Sequence, residues 1–543
     1  MDKLLPVMFV RYPTKFTLLT CLVVITSCEV VDAIYFEGYA LARETHHHGP
    51  EHSLPNSLTH TFVEITIMSF FKSLTLFFSL VPSIVGAPAP NIIHGLSALE
   101  TRDSPGTIEI LENTLLGFYN LDKGAIQEIA LLESALKDVQ AGKINPVTTL
   151  EEALASLAEI PPSSNEEHNI LKIATNLILN GLAPQNILDL IAGITDQDIN
   201  SSNNNNTVDP SKPIYPKKKT KDAPYSQSEK DLRSAIFIPE TFEYGANNKT
   251  PVLLVPGTAD PAGSTYHFSY AKLLAESNFA DPVWINIPGN SLGDIQVNAE
   301  YVAYAMNYIS AISNSSSSSN GPNGRKIGVI SWSQGGIDVQ WALKYWPSSR
   351  EVVNDFMALS ADFHGTLFAA VCLTSSSPLC TPSFKQQYYN SNLIQTLRGG
   401  DEGGDSAFVP TTSVYSGVDE VVQPQIGTDA SAYLLDERGV GVSNVQIQVG
   451  CPGLPAGGFY LHETMLVNPL AFALFADALT HDGPGELSRV DLDTVCNQLV
   501  PPGLGLDDLL GTEVMALVYG SLDTLTYGYV GDSEPPIKEY AVQ

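Results

Sequence analysis

Ser333 stands where an apolar, β-branched run gives way to glycines, in Arg325-Lys-Ile-Gly-Val-Ile-Ser-Trp-Ser-Gln-Gly-Gly336. A tight strand-to-helix turn flanked by small residues lifts such a hydroxyl clear of a sheet; Ser331 and Gly335 supply the small flanks. A serine becomes a nucleophile only with a base to take its proton, a carboxylate to fix that base's tautomer and donors for an oxyanion. One recurring chain order for these parts is nucleophile, acid, base. Asp419, in Val414-Tyr-Ser-Gly-Val-Asp-Glu-Val-Val422, lies at the end of an apolar run and is the acid candidate. His462, in Gly457-Gly-Phe-Tyr-Leu-His462, follows it in the required order. His481 beside Asp482 competes for the same role, whereas His364 precedes the acid and needs a different topology. The expected oxyanion donors are the backbone N–H of Gln334 and Thr258 in Val255-Pro-Gly-Thr258, whose hydroxyl is a further donor. Losing one such donor costs about 100- to 1,000-fold in rate.

These residues need a scaffold, and the apolar pattern supplies one. Residues 252–255, 283–287, 327–330, 356–359, 412–415 and 445–449 read as strands, and 295–312 and 337–345 as helices between them. This alternation predicts a mostly parallel, doubly wound α/β sheet across a catalytic domain at 230–543. Upstream, Ile108, Ile110, Leu111 and Leu115, then Ile126, Ile129, Leu132 and Leu136, recur mostly at helical steps. Residues 165–179 and 184–194 add two more helices, giving a small all-helical region at 100–196. Between the two regions, 197–229 combines an Asn/Ser tract with Lys217, Lys218 and Lys219, and predicts a disordered, protease-accessible linker.

Residues 68–89 read as a secretory signal. Lys72 follows an internal Met68, an apolar run spans 74–80, and small residues follow at Gly86, Ala87 and Ala89. A signal does not begin deep inside a chain, so residues 1–67, with His46, His47 and His48, are expected to be a spurious upstream extension. Neither early apolar run reaches the roughly 20 residues a membrane span needs. The 543 residues carry 28 Lys+Arg against 59 Asp+Glu, a formal charge of -31 that disfavours nucleic acid as a partner. Sequons at Asn200, Asn205, Asn248 and Asn314 fit surface glycosylation of an extracellular protein. With Cys21 and Cys28 outside the mature protein, Cys372, Cys380, Cys451 and Cys496 remain, an even number consistent with two disulfides. No Cys or His spacing suits zinc, and no metal or cofactor is expected.

Several separated motifs occur here in one order: Leu254-Val-Pro-Gly-Thr258, Val283-Trp-Ile-Asn286, Ser331-Trp-Ser-Gln-Gly-Gly336, Ala361-Asp-Phe-His-Gly-Thr366, Val409-Pro-Thr-Thr412 and Tyr415-Ser-x-x-Asp-Glu-x-Val-Gln-Pro-Gln425. From about residue 237 to 497 the chain resembles the fungal secreted lipases related to Candida antarctica lipase B. The resemblance implies an α/β-hydrolase fold and acyl-ester hydrolysis and transfer, with triacylglycerols among the substrates and no metal. It assigns Ser333 as nucleophile, Asp419 as acid and His462 as base, with Thr258 and Gln334 at the oxyanion hole. Trp332 walls the alcohol side, and Asp362 and Gln387 lie on the acyl side. It pairs Cys451 with Cys496 and leaves Cys372 and Cys380 to each other. The chain departs from the pattern at Leu461, where the family has Asp before the base, and at Val283 and Ser533, where it has cysteines. The expected protein is a secreted monomer acting on lipid esters, including at an oil–water interface. The rival readings are a polyester or cutin hydrolase or acyltransferase with the same triad, and an inactive hydrolase-like binding protein.

Overall fold

A computed structural model describes residues 123–159, 169–195, 197–313, 325–373, 380–400, 402–527 and 533–542. The proposed extension, the signal segment, the helical pattern around 108–115 and Asn314 lie outside these residues. Seven strands form one sheet: β1 (Ile236–Phe237), β2 (Thr250–Val255), β3 (Ala280–Ile285), β4 (Ile327–Trp332), β5 (Val353–Leu359), β6 (Thr411–Tyr415) and β7 (Val442–Gln446). Their spatial order is β1-β3-β2-β4-β5-β6-β7. Only β1 runs antiparallel; the rest are parallel. β4 is central, with Ser331 paired to Val255 of β2 and Trp332 to Leu359 of β5. A parallel sheet needs both faces covered, and period-two alternation divides its side chains between two cores. Leu253, Val255, Ile327 and Val329 face one core, whereas Val252, Leu254, Ile330 and Trp332 face the other.

The strand expected at 445–449 is displaced. β7 ends at Gln446, and Ile447–Gly450 forms a short helical turn. The apolar run there continues through the change of geometry, so hydropathy alone did not mark the boundary. Both expected disulfides are present, Cys372–Cys380 and Cys451–Cys496. No described helix is long and apolar enough to cross a membrane.

Among the described residues, four helices lie upstream of the segment 197–229: α1 (Lys123–Gln140), α2 (Leu150–Glu159), α3 (Asn169–Leu179) and α4 (Ile187–Thr195). They do not form a free-standing bundle. Leu132, Leu136, Leu177 and Ile178 share a core with Leu461 and Val467, which flank His462, and with Leu509, Leu510 and Val514 far down the chain.

The segment 197–229, expected to be a disordered linker, is a pinned strap. Asn204 Nδ2 donates to Ser234 O at 2.9 Å, and Asn206 Nδ2 donates to Arg233 O and Ile236 O at 2.8 Å each, closing the end of the helix Glu229–Ser234. Ile199 O accepts from Trp284 Nε1 at 2.8 Å and Asn286 Nδ2 at 2.7 Å. Tyr225 stacks between Tyr215 and Trp346, and Ile214 is buried. Composition described the strap's polarity correctly, but its amides satisfy backbone groups instead of water. Asn200 is part of this anchoring: its amide donates to Ile194 O at 3.0 Å and accepts from Ser264 N at 2.8 Å. That engagement sets it apart from Asn205 and Asn248, which are exposed.

Helices further along the chain include α5 (Ile295–Ile312), α6 (Gly335–Tyr345), α7 (Pro469–Thr480), α8 (Leu506–Glu513) and α9 (Gly520–Thr526). A π-helical turn, Val514–Tyr519, joins α8 to α9.

Candidate active site

β4 ends at Trp332, and the next residue, Ser333, has φ 56°. A non-glycine residue in this region is strained, and such strain concentrates at functional turns. Three glycines allow the close approaches that hold it. A Cβ on Gly257 would lie 2.7 Å from the Trp332 ring and 3.0 Å from Ser333 Cβ. On Gly335 it would meet Pro256 O at 2.6 Å, and on Gly336 Ala361 Cβ at 2.6 Å. The loops after β2 and β5 therefore press directly on the turn.

Asp419 lies just beyond β6, with its carboxylate fully inward. Oδ1 accepts the N–H groups of Val421 at 3.0 Å and Val422 at 2.7 Å, while Oδ2 meets His462 Nδ1 at 2.8 Å. A carboxylate there keeps the proton on Nδ1 and leaves the lone pair on Nε2. Nε2 is buried and has no hydrogen-bond partner among the described residues, so no Ser333–His462 bond exists in this state. Such contacts often form only with substrate bound. The ring packs against Trp332 at 4.9 Å between centroids, and Trp332 Nε1 donates to His462 O at 3.1 Å. Burial opposes charging the imidazole, but Asp419, Glu420 and Asp362 outweigh it, so its pKa is raised.

His481 sits elsewhere, beyond α7, about half exposed and paired with Asp477. His364 lies near Asp405, 3.4 Å away. Only His462, of the three candidates, is joined to Asp419.

Thr258 and Gln334, far apart in sequence, meet through side chains: Thr258 Oγ1 donates to Gln334 Oε1 at 2.7 Å. Gln387 closes the triangle, with Nε2 donating to Gln334 Oε1 at 2.8 Å and to Thr258 Oγ1 at 3.0 Å. Gln334 Nε2 is further anchored on Ser291 O at 2.9 Å. These bonds tie the loop after β2 to the start of α6, next to Ser333. Asp362 is fully buried, with neither carboxylate oxygen hydrogen-bonded among the described residues; burial pushes it up to about 7.

Several carboxyls near the site were not singled out from sequence. Asp338, on α6, is buried beside Asp362 and raised well above the usual range by burial and then by that neighbour. Glu420, Glu463 and Glu513 act electrostatically on one another, and Glu420 also on Asp419 and His462. The Asp419-Glu420 and His462-Glu463 dipeptides were the available signal, but paired charges ordinarily read as solvated loops.

Fold and site together define an α/β-hydrolase. No family model matches the chain. It is 32% identical to lipase B of Pseudozyma antarctica over 295 residues, covering 54% of this chain and 79% of that protein. It is also similar to the crystal structure of Aspergillus fumigatus lipase B, with 46% identity and a TM-score of 0.71, covering 80% of this chain and 99% of that one. The chain belongs to the lipase B family and is a carboxylic ester hydrolase.

Proposed function

We propose that this protein is a secreted serine lipase that cleaves acyl esters such as triacylglycerols through Ser333, His462 and Asp419, and passes the acyl group to water or another alcohol. The observation that carries this reading is the buried 2.8 Å Asp419–His462 pair packed on Trp332, the residue before the strained Ser333. His462 Nε2 takes the Ser333 proton as Oγ bonds to the ester carbonyl carbon. The carbonyl oxygen becomes an oxyanion held by N–H donors of Thr258 and Gln334. Collapse breaks the bond to the alkoxy group, which leaves with the proton from His462. Water then repeats the sequence, releasing acid and restoring Ser333. Trp332 borders the alcohol side, and Asp362 and Gln387 the acyl side. Two disulfides support secretion, because such bonds persist in oxidising compartments.

The test is labelling with a fluorophosphonate, which reacts only with an activated serine. The expected result is one adduct on the Ser333 peptide, and loss of both labelling and ester hydrolysis in folded Ser333→Ala. Wild-type turnover by Ser333→Ala would overturn the assignment.

A further inference from the structure

Consecutive residues of the acid loop grip consecutive residues of the base loop. Asp419 holds the His462 ring, and Glu420 Oε2 accepts the His462 backbone N–H at 3.0 Å. The next residue, Glu463, is buried, and the neighbouring Glu420 carboxyl helps hold its own carboxyl protonated, well above the ordinary range. Glu420 Oε1 is buried and receives no N–H or hydroxyl donor among the described residues. Neighbouring carboxylates offer only acceptors, so a hydrogen bond between them requires a proton. We propose that Glu420 and Glu463 share one proton and together act as a positioning clamp, setting the His462 backbone so that its ring meets Asp419 and its Nε2 can serve Ser333. The proposal rests on the assignment of His462 as base.

The surroundings favour keeping that proton. Glu513, from α8, is buried with both carboxyl oxygens unpartnered among the described residues, and it acts electrostatically on both Glu420 and Glu463. Asp419 adjoins Glu420, and Asp362 faces His462. On the same helix as Glu513, Asp508 is already paired with Lys272 at 2.8 Å, and Asp507 is exposed. Among the described residues, the group of opposite sign that acts on Glu420 is His462. Like charges packed together in a dry site cannot all ionise. Burial first, then the neighbouring carboxyls, holds Glu420 and Glu463 above the ordinary range and takes Glu513 to about 8.

The sign follows. As pH rises and the pair loses its proton, the hydrogen bond becomes a repulsion and the base loop shifts. kcat then falls on the alkaline side. KM holds, because Thr258, Gln334 and Gln387 lie outside the clamp. The acid limb of the profile belongs to protonation of His462 instead.

The experiment is a pH-stat measurement of kcat and KM on a water-soluble ester between pH 5 and about 10. Glu463→Gln keeps an N–H donor that does not titrate. Its neutral kcat is expected within about threefold of wild type, with the alkaline limb moved up by about one pH unit or more. Glu463→Ala is expected to lose about tenfold or more in kcat with KM held within about twofold. An alkaline limb unchanged in Glu463→Gln overturns the proposal. That variant decides the matter alone if the alanine variant does not fold. Wild-type kcat in a folded Glu463→Ala also overturns it. Fluorophosphonate labelling separates the two readings: Ser333 labelled with an unchanged Glu463→Gln profile removes only the clamp, whereas no labelling removes the triad.

Discussion

Asp419 has its acceptor positions filled by donors: two backbone N–H groups on Oδ1 and the imidazole on Oδ2. An amide in its place presents an N–H where an acceptor is required, or turns and leaves the loop N–H groups unmatched. Asp419→Asn is therefore expected to lower kcat by about 10⁴ while leaving KM nearly unchanged, because the imidazole is left in the wrong tautomer. His481→Ala, altering only a half-exposed pair with Asp477, should leave steady-state kinetics at the wild-type level. An active Asp419→Asn together with an inactive His481→Ala would move the base to the other histidine. The Asp419–His462 pairing and the turn at Ser333 were legible in sequence because chemistry restricts which residue types can fill each proposed role. Glu463 and Asp338 were not, because burial there comes from packing. Glu513 acts on Glu463 only once the fold brings α8 back from far down the chain, and Asp338, itself on α6, is buried and sensed by Asp362 only in the folded protein.

Between elements, the largest difference from expectation is the strap at 197–229. Asn, Ser and Lys predicted solvation, yet Asn206 alone satisfies two carbonyls around the end of a helix and the start of β1. Asn206→Ala should cost about 1–2 kcal/mol, since both buried-side acceptors lose a donor. Melting curves are expected to show a decrease of roughly a few degrees, and an unchanged Tm would refute the capping role. The basic stretch is held too, with Lys218 Nζ donating to Asn307 Oδ1 at 2.8 Å and Lys219 paired with Glu351. Native protein should accordingly resist trypsin at Lys217, Lys218 and Lys219 under conditions that cut a flexible linker; rapid cleavage there would restore the linker reading. Strands β2 to β5 were readable because their runs are largely apolar on both faces and bounded by turn residues. β1, only two residues long, offers no period to read. The N-terminal helices were readable as helices, but their docking beside Leu461 and Leu509 was not, because helical periodicity identifies an apolar face without naming what covers it.

Across the whole molecule, the buried carboxyls set a direction for stability against pH. Burial raises Asp260, Asp338, Glu420 and Glu463, takes Asp523 to about 6 and Asp362 to about 7, and takes Glu513 to about 8. In the unfolded chain such groups titrate near 4. Between about pH 4 and 8 the folded state therefore binds more protons than the unfolded one, and stability falls as pH rises through the folded values. His364, lowered to about 4 by burial, works the other way below its ordinary range, and Asp477, partly buried but held down by Arg489, adds stability lost only in acid. Both are outnumbered, and the formal charge of -31 adds self-repulsion in the same direction as the buried carboxyls. The Tm is thus expected to be higher at pH 5 than at pH 8 by roughly 5 °C or more. Salt distinguishes the two contributions, because it screens exposed charges over about 10 Å at 0.1 M but acts weakly on buried ones. A decrease that persists in added salt, and shrinks in Glu513→Gln or Asp362→Asn, assigns it to the buried groups; a Tm that is level or rises from pH 5 to 8 contradicts the accounting.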